Sequence, residues 1–140
     1  MAFKVQRVET WAAPLQDKPG GLAAKLAALA HANVNLEFLI ARRAPDRPGK
    51  GVVFVTPIEG AAKVRAARAA GFRKTVSLHT VRFQGPDRKG VGAKVTRALA
   101  EQGLNVRGLS AAAMKGKFIA HLALDTTADA AKAMRILRAL

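Results

Sequence analysis

Residues 3–11, FKVQRVETW, set apolar Phe3, Val5, Val8 and Trp11 among polar neighbours, in alternation with one slip at Val8. A period of two predicts a strand. APLQDKPGG follows, and Pro14, Pro19, Gly20 and Gly21 give it turn chemistry. In GLAAKLAALAHA the period changes. Leu22, Leu26, Leu29 and Ala30 fall on one face of a helix. NVNLEFLIARR, rich in branched and aromatic residues, predicts a strand, APDRPGKG a loop, and VVFVTP a buried strand. Residues 59–70 predict a helix bounded by Pro57 and Gly71, with Arg65 and Arg68 suited to its C-terminal end.

The second half repeats that order. Residues 72–84 read as extended, GPDRKG as a turn, and 91–102 as a helix with Val91, Val95, Ala98 and Leu99 inward. LNVRGLSAAAM and FIAHLALD predict strands around the tight turn KGK, and 127–139 the last helix. The repetition reaches individual residues. DKPGGLAAKLAALAHANVNL, residues 17–36, aligns without a gap on DRKGVGAKVTRALAEQGLNV, residues 87–106. Two similar units follow, residues 1–71 and 72–140, each with the order β-α-β-β-α. A crossover helix and then a hairpin give an α+β, ferredoxin-like sandwich with both helices on one face of the sheet.

Such a unit closes with a fourth strand, and each half lacks one. Both opening segments are long. Residues 72–84 can close the first unit with their early part and open the second with their late part. Residues 3–7 can likewise close the second. A 70-residue unit is marginal alone, so the two halves are expected to pack together.

Charge changes the picture more than the rest of the composition. Twenty-four Lys and Arg against nine Asp and Glu leave a net charge of +15. Such an excess attracts nucleic acid, an acidic membrane surface or an acidic protein. It also describes a generally basic, solvated surface. The chain has no cysteine, which excludes disulfides, zinc–cysteine sites and thiol catalysis. The N-terminus has no apolar core of a signal peptide, and no long apolar stretch is free of charge. A soluble, cytoplasmic protein without membrane association is expected.

The doubled segment places a glycine-rich turn directly before a helix. Glycine lets backbone approach a ligand, and the first helical turn offers unpaired N–H groups and partial positive charge. A carboxylate or phosphate fits there. For an amino acid, Asp17 or Asp87 can face the ammonium and Asn35 or Asn105 add a neutral polar contact. The competing reading is structural: Asp and Asn near a helix start are common caps and turn formers.

The same two segments resemble the ACT domain, a small-molecule-binding regulatory module of amino-acid metabolism. The pattern is Asp-x-x-Gly, an apolar helix with Ala-Leu-Ala, then Gly-Ile/Leu-Asn-Val leading into a strand. The likeness runs from Val5 to the end of the chain. It implies the β-α-β-β-α-β fold, and ligand sites in the loops before the first helix of each unit, usually at an interface between two ACT units. By position the ligand-binding candidates are Asp17, Lys18, Pro19, Gly20, Gly21, Leu22 and Asn35, with Asp87, Arg88, Lys89, Gly90, Val91, Gly92 and Asn105. The chain departs from the pattern in three places. Lys89 replaces the proline kept at Pro19, Gly92 stands where Leu22 does, and Asn33 replaces the glycine seen at Gly103. The two loops are therefore expected to differ in affinity.

Catalysis finds little to build on. Gly85 and Gly90 have the gap of a phosphate loop, but Val91-Gly92 stands where Lys-Ser/Thr is required. His31, His79 and His121 lack partners at metal-ligand spacing. Ser77 and Ser110 are the only serines, and there is no tyrosine. Trp11 can line a pocket but fits a core strand better, and Asp125, Thr126, Thr127 and Asp129 resemble a helix cap. No metal or cofactor is expected. The reading is a non-enzymatic tandem ACT protein that binds a small ligand, an amino acid, and couples it to homodimerisation or a partner. The alternatives are a basic ferredoxin-like nucleic-acid-binding module, for which stacking aromatics are scarce, and a ligand-free dimerisation scaffold.

Overall fold

The computed structural model describes residues 2–140. The elements are β1 (Lys4–Val8), β2 (Trp11–Gln16), α1 (Gly21–His31), β3 (Phe38–Arg43), β4 (Lys50–Thr56), α2 (Ala61–Ala69), β5 (Arg73–Lys74), β6 (His79–Pro86), α3 (Val91–Glu101), β7 (Gly108–Met114), β8 (Lys117–Leu124) and α4 (Thr127–Arg138). They form two antiparallel four-stranded sheets, ordered β3-β4-β2-β5 and β1-β6-β8-β7.

The compact units are Glu9–Thr75 and a second made of Val76–Leu140 together with β1. A cut between residues 71 and 72 therefore does not follow the compact units. Within Glu9–Thr75, β5 completes the sheet beside β2, with Lys74 opposite Trp11. In the other unit the completing strand is β1, with Val5 opposite Phe83. Glu9–Thr75 thus has the α+β, ferredoxin-like order β-α-β-β-α-β, and the other unit has the same strand arrangement with its closing strand supplied by β1 from the start of the chain. The slip in alternation at Val8 is where the chain leaves one sheet for the other. The extended stretch 72–84 is likewise two strands, β5 and β6, separated by residues 75–78.

Three expectations shift. Residues 13–16 are strand rather than turn, and Pro14 lies in β2 opposite Val52. The lost N–H is tolerated because β5 covers only Trp11 and Ala12, leaving Pro14 on an open edge. The strands after α1 and α3 start later than the composition suggests, at Phe38 and Gly108. Both helices first end in a left-handed turn: Asn33 (φ 61) and Gly103 (φ 76) donate to Ala30 O and Ala100 O. Asparagine is the residue that best replaces glycine there. Ala30, placed on the apolar face of α1, is exposed, whereas Leu29 is buried.

Each unit has its own core. Trp11, Ala13, Leu15, Leu29, Val53, Val55, Ile58, Ala67 and Phe72 fill the first. In the second, Val91, Val95 and Leu99 from α3 and Ala130, Ala133 and Leu137 from α4 pack on Val81, Phe83, Ala120 and Leu122. Phe3 and Val5 of β1 join that core, Phe3 meeting Phe83 edge-to-face at 5.3 Å. The strand pairing predicts which fragment folds. Residues 9–75 contain a closed sheet and core, and a fragment of these residues is expected to give a cooperative urea transition. A fragment of residues 1–71 lacks β5 and carries unpaired β1, and is expected to be less stable and to associate. Equal, cooperative unfolding of both fragments would overturn this division.

Candidate functional site

The repeated segment builds the same turn twice. β2 ends at Gln16 and α1 starts at Gly21; β6 ends at Pro86 and α3 starts at Val91. Each turn is tied to the hairpin tip of its own sheet: the Asp17 N–H donates to Gly49 O (3.0 Å) and the Asp87 N–H to Gly116 O (2.9 Å). Each ends in a left-handed glycine, Gly20 at φ 84 and Gly90 at φ 78, which side chains resist. The Gly21 N–H returns to Lys18 O and the Val91 N–H to Arg88 O, both at 3.1 Å. The helical ladder begins with Ala24 N–H on Gly20 O and Lys94 N–H on Gly90 O. In between, the N–H groups of Leu22 and Ala23, and of Gly92 and Ala93, have no acceptor among the described residues, and no side chain caps either helix. Bare amides at a helix start favour an anion.

The surroundings differ. In the first turn the Lys18 N–H closes on Gln16 O, and a Cβ at Gly21 would run into that carbonyl. The turn is folded tightly on itself. The Asp17 carboxylate accepts from Arg43 Nε at 2.8 Å. In the second turn a side chain, Val91, occupies the position of Gly21 and is buried, and Gly92 has open space where a Cβ would stand. Among the described residues Asp87 takes part in no ion pair. A groove of about 420 Å³ opens beside this turn, lined by Gly90, Ala93, Lys94, Arg97, Ala98, Glu101 and Leu140.

Of the residues singled out in sequence, Asp17–Leu22 and Asp87–Gly92 are brought together as two turns. Lys18, Pro19, Arg88 and Lys89 are exposed on them. Asn35 and Asn105 are exposed too, but they follow the far ends of α1 and α3. An eleven-residue helix is about 16 Å long, so within one unit neither asparagine reaches the turn it was grouped with. The helical groove, and the cations Lys94 and Arg97 on its wall, have no signal in the repeat, because Ala24 and Ala27 stand at the positions aligned with 94 and 97.

Residues 79–140 match the family model described as ACT domain. This unit is an ACT domain. Glu9–Thr75, outside that match, repeats its spatial strand order and its turn, so the chain holds two units of one fold. No curated protein sequence matches the chain. Among solved structures, a protein from Bacteroides thetaiotaomicron is similar with a TM-score of 0.77 at 17% identity, over 94% of this chain and 88% of that one. The regulatory subunit of aspartate kinase from Thermus thermophilus, in a ligand-free form, is similar at 0.66 and 17%, over 98% and 95%. Aspartokinase III of E. coli, in complex with aspartate and ADP, gives 0.60 and 17%, over 99% of this chain and 32% of that one. These likenesses show the ACT fold.

Other groups hold structural places in the two units. Trp11 is 2% exposed in its core, with the Arg68 guanidinium 5.7 Å from its ring. Thr126 caps α4, its Oγ1 accepting from the Asp129 N–H at 3.0 Å. Among the described residues no three His, Cys, Asp or Glu gather as a metal site, and no helix is long and apolar enough to cross a membrane. His121 is buried on β8, opposite Arg82 of β6 and Ser110 of β7. Burial, and then the Arg82 guanidinium, lower its pKa to about 4.

Two outcomes follow for these units. Unfolded His121 titrates near its ordinary 6.5 and the folded form near 4. The unfolded chain therefore takes up the proton first. The stability His121 contributes is full above about pH 6.5 and is lost as pH falls toward 4, amounting to about 3 kcal/mol. Urea titrations across that window are expected to show the loss, and His121→Gln to flatten it. For the turns, Gly21→Ala forces the backbone off Gln16 and is expected to lower the melting temperature by several degrees. Gly92→Ala meets nothing and adds helix propensity, for a change of about −0.5 to −1 kcal/mol in folding free energy. Equal effects at both positions would contradict the difference between the turns.

Proposed function

We propose that this tandem ACT protein is a non-enzymatic regulatory module whose second turn, Asp87–Gly92, binds an amino acid. The observation that carries this reading is the pair of amides at Gly92 and Ala93 that lack an acceptor among the described residues, on the turn of Asp87, which forms no ion pair among them, beside an open groove. The amides receive the ligand carboxylate, and Asp87 faces its ammonium. The groove alongside takes the side chain. The first turn, closed by Gln16 and with Asp17 engaged by Arg43, is the weaker site or an empty one. The complex of E. coli aspartokinase III with aspartate supports the ligand class.

Regulation follows from differential affinity. A ligand that binds one packing of ACT units more tightly shifts the population toward it. A homodimer that brings Asn105 of one copy to the turn of another provides such a packing. Without a ligand the protein is a dimerisation scaffold, the reading that remains if no amino acid binds. The test is a thermal-shift and calorimetric screen of the twenty amino acids. One or a few are expected to raise the melting temperature at millimolar concentration, acidic ones above basic ones because Arg88, Lys89 and Lys94 surround the turn. Asp87→Asn is expected to weaken binding at least tenfold, and Asp17→Asn to leave it within twofold. No shift with any amino acid would overturn the proposal. Equal losses in the two variants would overturn the choice of turn.

A further inference from the structure

The cations of the second unit are not spread evenly. The Asp87 N–H on Gly116 O ties the turn before α3 to the β7–β8 hairpin tip, and Pro86 lies opposite Lys117 in the β6–β8 register. Arg88 and Lys89 on the turn therefore share one end of the unit with Lys115 and Lys117 on the hairpin. Lys94 and Arg97 continue the same surface along the groove of α3. All six are exposed. Within this set the Asp87 carboxylate is the only opposing charge until Glu101, at the far end of α3. None of the six forms an ion pair among the described residues.

We propose that this end of the unit binds the phosphate backbone of nucleic acid without reading its bases. Polyvalent phosphate matches clustered Lys and Arg because each contact releases condensed counterions. The α3 track is about 16 Å long, and that length of duplex carries on the order of nine phosphates, enough to engage all six cations. Bases find no partner. The aromatic residues of the unit, Phe3, Phe83 and Phe118, are all in the core, so no stacking platform exists there. Two other partners fit less well. Protein interfaces are depleted in lysine and enriched in aromatics, whereas four of these six residues are lysines and none is aromatic. A membrane surface needs a broad apolar face beside the charge, and the one large apolar side chain exposed at this end is Met114.

The proposal does not rest on amino-acid binding, although both use the groove along α3, and its test leaves Asp87–Gly92 intact. Fluorescence anisotropy with a labelled random-sequence RNA and a duplex DNA is measured at about 50 and 200 mM salt. The intact chain is expected to bind at low-micromolar affinity or better at the lower salt, with little preference between sequences. Six phosphate contacts predict an affinity loss of about a thousandfold between the two salts. Lys94→Glu/Arg97→Glu and Lys115→Glu/Lys117→Glu are each expected to reduce that ratio to about a hundredfold or less, by removing two contacts. Lys63→Glu/Arg65→Glu on α2 reverses the same charge outside the patch and is expected to retain the ratio. Melting temperatures check that every variant is folded. The proposal is overturned by no binding at low salt, or by an equal loss in the α2 variant, which would mean net charge alone. Binding to mixed phosphatidylserine–phosphatidylcholine vesicles but not to oligonucleotides would also overturn it.

Discussion

The antiparallel pairing of β1 with β6 is the constraint on which the second unit depends. Lys4 stands opposite Gln84 and Val8 opposite Thr80, so the strand that closes this sheet comes from the opposite end of the sequence. Without it β6 is a bare edge, open to association, and Phe3 and Val5 are missing from the core. The turn before α3 hangs from the end of that same strand. Its geometry is held by β6 on one side and by the hairpin carbonyl of Gly116 on the other. Closure of the sheet and shape of the turn are therefore one problem. The first unit solves it more locally, with the two-residue strand β5 beside β2.

Much of this fold is legible in the sequence because the repeat is written residue by residue. The order of strands and helices, the glycine turns and the Thr126 cap follow from periodicity and turn chemistry. The two closing strands were legible for a different reason. Each half was one strand short, and both opening segments were too long. The slip at Val8 marked the place where one segment becomes two, though periodicity alone does not separate a bulge from a change of sheet. Pro14 misled in the other direction. Proline reads as punctuation unless the strand beside it is known to stop short, and that is a tertiary fact.

The candidate site was half legible. Asp-x-x-Gly before a helix specified both turns. The asparagines were grouped with them because the motif is contiguous in sequence, yet a helix separates its two ends in space. What distinguishes the turns also lies outside the motif. Arg43 reaches Asp17 from β3, and the crowding at Gly21 comes from the backbone of Gln16. The basic end of the second unit had no linear signature. Arg88 and Lys89 are far in sequence from Lys115 and Lys117, and only the β6–β8 register and the Asp87 N–H on Gly116 O join them.

The charge and the turn make different physical demands. The backbone ammonium and carboxylate of an amino acid cancel, so a net charge of +15 neither steers that part of the ligand nor adds to its affinity in bulk. On the proposed reading what holds it is local: two amides and one carboxylate of the turn before α3. Those demands conflict where they meet, since cations around Asp87 repel the ammonium that Asp87 is placed to receive. The conflict weakens with distance through screening, on the scale of about 8–10 Å at physiological salt. Lys115, Lys117 and Arg97 extend the cationic surface away from the turn, while Arg88 and Lys89 lie on it. An anionic occupant along α3 and the hairpin neutralises these groups and lowers the local repulsion of a ligand ammonium. On the two readings together, occupancy of the groove by phosphate and of the turn by an amino acid are coupled through Asp87, with a sign set by whether the two compete for space or share the same field.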